Sequence, residues 1–140
     1  MPPARHDLSM SNQVLDRWYA ALKAGDAGAL AAVTTDDVTV RWNGPPGVVP
    51  WAGVWEGRTK VLTFFRRVAE HLEILAIDTV HRIEGEGGVC IILEGRWRVR
   101  ASGEELAVRA ANVFRFEGGR VASYEVYPDS YSFAKALAKA

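Results

Sequence analysis

The sequence predicts an α+β domain: a curved, cone-shaped antiparallel or mixed sheet wrapped around three N-terminal helices, with a short C-terminal helix. Three observations predict it. Apolar residues recur at helical spacing over 14–22 and again over 61–72. They then switch to strict alternation, with Leu93, Gly95, Trp97 and Val99 on one face and Glu94, Arg96, Arg98 and Arg100 between them. Turn residues punctuate the alternating region at Ser102-Gly103 and Gly118-Gly119. Helices followed by a meander of long strands describe a sheet packed on helices, with a pocket between them.

Residues 1–10 show no periodicity and read as a flexible tail, leaving 11–140 as a single domain. Ser11 or Asn12 caps a first helix whose stripe is Val14, Leu15, Trp18, Tyr19 and Leu22, closed by Gly25. Asp26 caps a second, alanine-rich helix carrying Leu30 and Val33, and Asp36-Asp37 turn the chain into a strand over 38–42. Residues 43–57 hold four glycines and three prolines, which predicts a structured loop carrying Trp51 and Trp55. A third helix follows over 59–72, with Val61, Phe65, Val68 and Leu72 on its core stripe. Residues 73–84 read as a strand of unclear parity, because apolar residues fall on both phases. Asp129-Ser130 starts the closing helix with Phe133, Ala134 and Leu137.

The three strands over 90–129 carry the candidate chemistry. Beyond Ser102-Gly103, Leu106, Val108, Ala110, Asn112, Phe114 and Phe116 continue the dry face, with one polar interruption at Asn112. Both glycines of the Gly118-Gly119 loop suit the positive φ that a two-residue hairpin turn needs. A regular hairpin from the pair Glu117–Arg120 then sets Asn112 opposite Glu125 and Ala110 opposite Tyr127. It groups an amide, a carboxylate and a phenol on an apolar surface, where a desolvated Glu125 would exchange protons near neutral pH.

Lys plus Arg and Asp plus Glu both number 17 in 140 residues, so no net field draws the chain to nucleic acid or to an anionic membrane. The single cysteine, Cys90, excludes an internal disulfide and a multi-cysteine metal site. The three histidines, His6, His71 and His81, are spread along the chain, and no metal or other cofactor is expected. No apolar run reaches the ~20 residues of a membrane span, and the N-terminus lacks a signal-peptide core, so a cytoplasmic location is expected. Five tryptophans are many for this length; Trp42, Trp55 and Trp97 are expected to enclose an apolar ligand. The arginines at 96, 98, 100, 109 and 115 fall on the opposite sheet face with Val113, Tyr124 and Val126, a surface either solvated or buried in a symmetric dimer.

The segments ALKAGDAGAL, VVPWAGVWEG, VFRFEGGRV and YPDS, in this order, resemble the SnoaL-like and ketosteroid-isomerase-like group of the nuclear transport factor two-like superfamily. The resemblance covers about residues 14–137 and implies the same cone-shaped fold, often as a homodimer. Its members include isomerases, polyketide cyclases, epoxide hydrolases, dehydratases and proteins without catalysis. The isomerases' tyrosine falls here on Trp18, their carboxylate base on Trp42 and their protonated aspartate on Asn112, so only a hydrogen-bonding amide remains of that set. The epoxide hydrolases' strand arginine and aspartate fall on Gly95 and Trp97, and only their second aspartate is matched, by Asp129. The cyclases' acid on the last strand is matched most nearly by Glu125.

These readings assign Glu125 and Asn112 as the catalytic pair. A ligand site is expected from Trp18, Tyr19, Trp42, Trp55, Phe65, His81, Trp97, Phe114, Tyr127 and Asp129. Asp129 serves either as a helix cap or as a pocket acid, and His81 faces either the pocket or the strand's outer edge. The expected function is cofactor-free acid/base chemistry on a small hydrophobic, oxygen-bearing molecule, with non-catalytic ligand binding or a dimeric interaction module as the alternatives.

Overall fold

The computed structural model describes residues 4–138, with side chains from residue 12 onward. Helix α1 spans Ala4–Ala24 and ends where Gly25 adopts φ 65°, with the Gly25 and Asp26 amides returning to the Leu22 and Ala21 carbonyls at 3.2 and 3.0 Å. Its start lies well before the expected cap at Ser11 or Asn12. Residues 4–10 contain no glycine or proline and extend the helix, whereas residues 1–3 of the expected tail lie outside the described residues. Helix α2, Ala27–Ala32, is capped by Asp26, whose carboxylate accepts the Ala29 amide at 3.0 Å.

Strand β1 spans Thr34–Trp42 and so contains the Asp36-Asp37 pair expected to form a turn. Its pairing slips between Thr34 and Thr39, so the aspartates bend the strand without ending it. The Gly- and Pro-rich loop contains a short strand of its own, β2 (Gly53–Glu56), antiparallel to β1. Helix α3, Arg58–His71, buries Val61, Phe64 and Phe65, and β3 follows directly as Leu72–Gly85. The meander is β4 (Gly88–Val99), β5 (Glu105–Glu117) and β6 (Arg120–Pro128), and α4 closes the chain at Ser130–Ala138.

The six strands form one curved mixed sheet in the order β2-β1-β6-β5-β4-β3, in which β1 and β6 run parallel and every other pair is antiparallel. The unclear parity of β3 has a physical cause: its register to β4 shifts twice, between Ile74 and Ala76 and between Thr79 and His81. Each extra residue inverts the side chains beyond it. In β4 and β5 the predicted alternation holds, with Leu93, Gly95, Trp97 and Val99 buried against Ala110, Asn112 and Phe114. Gly118 and Gly119 adopt φ 57° and 75°, as the tight hairpin requires.

Beyond that hairpin the register departs from expectation. Phe116 pairs with Val121, but Arg115 already pairs with Ser123, which leaves Ala122 as an extra residue. From there Phe114 faces Tyr124, Val113 faces Glu125, Asn112 faces Val126 and Ala111 faces Tyr127. Tyr124 and Val126, expected on the outer face, are therefore core residues at 5 % exposure each, while Glu125 and Tyr127 point outward.

The core is anchored by Trp18, fully buried on α1 and packed on Phe65, Phe114 and Tyr124 with ring centroids 5.4, 5.5 and 4.8 Å away. No helix among the described residues is long and apolar enough to cross a membrane.

Candidate functional site

A cavity of about 70 Å³ lies between the dry sheet face, α1, α3 and α4. Its walls are mainly apolar. Leu22 and Tyr19 come from α1, Phe64, Phe65 and Val68 from α3, Leu93, Trp97, Ala110 and Val126 from the sheet, and Trp51 and Phe133 from the loop and α4. Two features of the backbone shape it. Gly95 lets the Trp97 ring fold back across its own strand, since a Cβ there would collide with that ring. Gly44 does the same for Trp42, whose Cζ3 would stand 2.5 Å from a Cβ.

A hydrogen-bonded polar pair interrupts these walls. Asn112, only 3 % exposed, donates from Nδ2 to the Tyr19 hydroxyl at 2.9 Å, and both residues line the cavity. Because the amide fills the phenol oxygen's acceptor role, the Tyr19 O–H proton is directed away from Asn112, and such a chain of donors strengthens the terminal one. Burial lifts the Tyr19 pKa well above its ordinary value, against the smaller opposing effect of the Asn112 hydrogen bond. Tyr124, also in the wall, is raised by burial and then by the neighbouring Tyr19. Both phenols are therefore neutral donors at physiological pH. No Asp, Glu, His, Lys or Arg is among the described residues lining the cavity.

Of the residues expected at the site, Asn112, Tyr19, Trp42, Phe65 and Trp97 line this cavity. Trp18 and Phe114 do not; both are fully buried behind it and support its wall. Trp55 is directed to the α3 surface, where Nε1 donates to the Trp51 carbonyl at 3.1 Å and the Arg67 guanidinium lies 5.7 Å from its ring. His81 is exposed opposite Ile92 on edge strand β3, turned outward by the bulge before it. Glu125 and Tyr127 meet each other outside, the Tyr127 hydroxyl donating to Glu125 Oε2 at 2.6 Å, a bond that raises the Tyr127 pKa. The expectation that Glu125 faces the ligand is thus corrected by the Ala122 bulge. Asp129 is exposed and caps α4, accepting the Ser132 amide at 3.2 Å and its hydroxyl at 2.7 Å.

Sequence reasoning missed Trp51, Phe64, Tyr124, Val126 and Phe133 as cavity residues. Trp51 had a signal as a large ring in the glycine- and proline-rich loop, and Phe133 as an apolar residue of the closing helix; Tyr124 and Val126 were hidden by the bulge. Among the described residues no group of three or more His, Cys, Asp or Glu comes together as a metal site.

The sequence matches the family profile of the SnoaL-like domain over residues 15–124. No curated protein matches it. Among solved structures, a nuclear transport factor two-like protein from Burkholderia xenovorans is similar at TM-score 0.77 and 20 % identity, over 92 % of this chain and 96 % of that one. One of unknown function from Burkholderia pseudomallei shares 23 % identity at TM-score 0.77, over 91 % of this chain and 97 % of that one. A protein of ketosteroid-isomerase-like fold from Catenulispora acidiphila, in complex with trimethylamine, is similar at TM-score 0.69 and 16 % identity, over 81 % and 83 % of the two chains. At these identities the likeness is one of fold.

Proposed function

The chain belongs to the SnoaL-like domain family, and we propose that within that fold it binds a compact, neutral, apolar molecule carrying one oxygen, which accepts a hydrogen bond from Tyr19. The observation that carries this reading is the Asn112–Tyr19 hydrogen bond at 2.9 Å inside a mainly apolar cavity. A buried phenol whose acceptor side is filled by an amide offers one directed proton, the feature a carbonyl or ether oxygen needs and a hydrocarbon does not. The volume, about 70 Å³, suits a guest of about six heavy atoms at ~10–15 Å³ for each water-sized position.

The same donor would polarise a carbonyl, the first half of acid/base catalysis. The second half needs a base, and the wall offers only phenols held neutral by burial. Binding is therefore preferred here to proton transfer. A thermal-shift panel tests the class: cyclopentanone and tetrahydrofuran are expected to raise the Tm, whereas cyclopentane and a steroid ketone leave it unchanged. A steroid response without a cyclopentanone response would refute it. Exchange of the α-protons of bound cyclopentanone into deuterated water would restore the catalytic reading.

We also propose a homodimer through the outer sheet face, in a reducing compartment such as the cytoplasm. Cross-strand rows Ile83–Cys90–Val113 and Ile92–Ala111–Tyr127 lie on that face, with Ile83 55 % and Tyr127 49 % exposed. Glu94, Glu125, Arg96 and Arg115 on the same face supply both charges that a self-complementary contact needs. Sedimentation at the monomer mass at tens of micromolar would remove this proposal.

A further inference from the structure

Phe133 stands among three indoles as a guest stands in a box. Its ring centroid lies 5.2 Å from Trp97, 5.4 Å from Trp42 and 6.3 Å from Trp51, each contact edge-on, and Trp42 and Trp51 meet at 5.6 Å. All four rings are at least nine-tenths buried and all four line the cavity. Each indole also has a neighbour other than Phe133: Trp97 lies across Gly95, Trp42 against Gly44, and Trp51 against His71 at 5.8 Å. Phe133 itself is delivered by α4, whose first turn is set by the Asp129 cap and the Phe133 amide reaching the Asp129 carbonyl at 3.4 Å.

We propose that Phe133 is the specificity-determining residue that limits ligand size, occupying with its own ring the space a second ring of the ligand would take. The proposal rests on the ligand reading above and adds its boundary: one ring with an oxygen fits, and a bicyclic molecule meets Phe133. Because three of the box's walls also have neighbours other than Phe133, removing its benzyl group leaves a pre-formed apolar space continuous with the cavity. Apolar cavities of this kind stay dry and accept benzene.

The experiment compares wild type and Phe133→Ala in thermal shift and calorimetry with three probes: benzene, cyclopentanone and 1-tetralone. The variant is expected to melt about 10–20 °C lower than wild type. Benzene at tenfold its Kd raises the variant's Tm by about 5 °C and leaves wild type unmoved. 1-Tetralone binds the variant alone, and cyclopentanone binds both. A folded variant that ignores benzene and 1-tetralone, or a wild type that binds 1-tetralone as tightly, overturns the proposal. If Phe133→Ala does not fold, Phe133→Leu carries the same test, and equal tetralone affinity in that variant and wild type overturns it. Failure of the two readings is separable: a benzene response with cyclopentanone silent in both proteins sustains the size limit and defeats only the oxygen anchor.

Discussion

Phe114 pairs with Tyr124 across the β5–β6 ladder, and not with Ser123, because Ala122 is bulged out of the register. That one residue decides which side of β6 faces the cavity. It brings Tyr124 against Trp18 and Phe114, with ring centroids at 4.8 and 5.1 Å, and puts Glu125 outside. Deleting Ala122 should leave Phe116 opposite Val121, Arg115 opposite Ser123 and Phe114 opposite Tyr124 in unbroken alternation, so that Tyr124 stays buried and Glu125 stays outside. The expected loss in urea unfolding is about 2 kcal/mol or less. A loss of about 4 kcal/mol or more, as inversion of the strand would cause, would contradict the bulge.

Glu125→Gln tests the same geometry from the other side. Glu125 lies outside and holds the Tyr127 hydroxyl, which a glutamine oxygen also accepts. Stability should change by about 0.5 kcal/mol or less, and affinity for a cavity ligand should stay the same. Loss of ligand binding would place Glu125 back in the site.

Gly95→Ala should be costly despite adding a single methyl group. The new Cβ meets the Trp97 ring, which is also packed on Phe133 at 5.2 Å and has little room to retreat. A loss of about 1–3 kcal/mol is expected, with a changed near-ultraviolet circular dichroism signal from the displaced indole. Unaltered signal and stability would show that Trp97 is not fixed by Gly95.

Stability should fall in alkali through the buried phenols. Burial raises the Tyr19 pKa above its unfolded value of about 10, so the neutral form is favoured in the folded chain. Its contribution is complete below about pH 10 and declines as pH rises towards the folded pKa, by about 1.4 kcal/mol per pH unit. Urea midpoints between pH 9 and 11.5 should drop less steeply in Tyr19→Phe than in wild type. Identical slopes would mean that Tyr19 ionises as freely folded as unfolded.

Much of this architecture was legible in the residues, and the exceptions share a cause. The alternation of β4 and β5 and the glycine hairpin are periodic signals, and the Asp26 cap is a local one; the structure keeps all three. The bulges at Ala122 and in β3 leave no such mark, because an alanine or a leucine out of register looks like one in register. Asn112 was visible as the polar break in a dry face, but its partner was assigned to Glu125, where the fold supplies Tyr19 from α1. That contact joins residues 93 positions apart and depends on how α1 lies on the sheet. Phe133 was visible as an apolar helix residue, while its place among Trp42, Trp51 and Trp97 required the return of α4 onto the sheet.

The central claim is that Tyr19, set by Asn112, holds the oxygen of a small apolar guest. Calorimetric titration of cyclopentanone into wild type and Tyr19→Phe tests it most directly, since the substitution removes one hydroxyl from the wall and leaves its packing in place. Loss of that hydrogen bond should weaken binding about tenfold, from a contribution of about 1–1.5 kcal/mol, with cyclopentane bound no better by either protein. Equal affinity of the two proteins for cyclopentanone would contradict the claim.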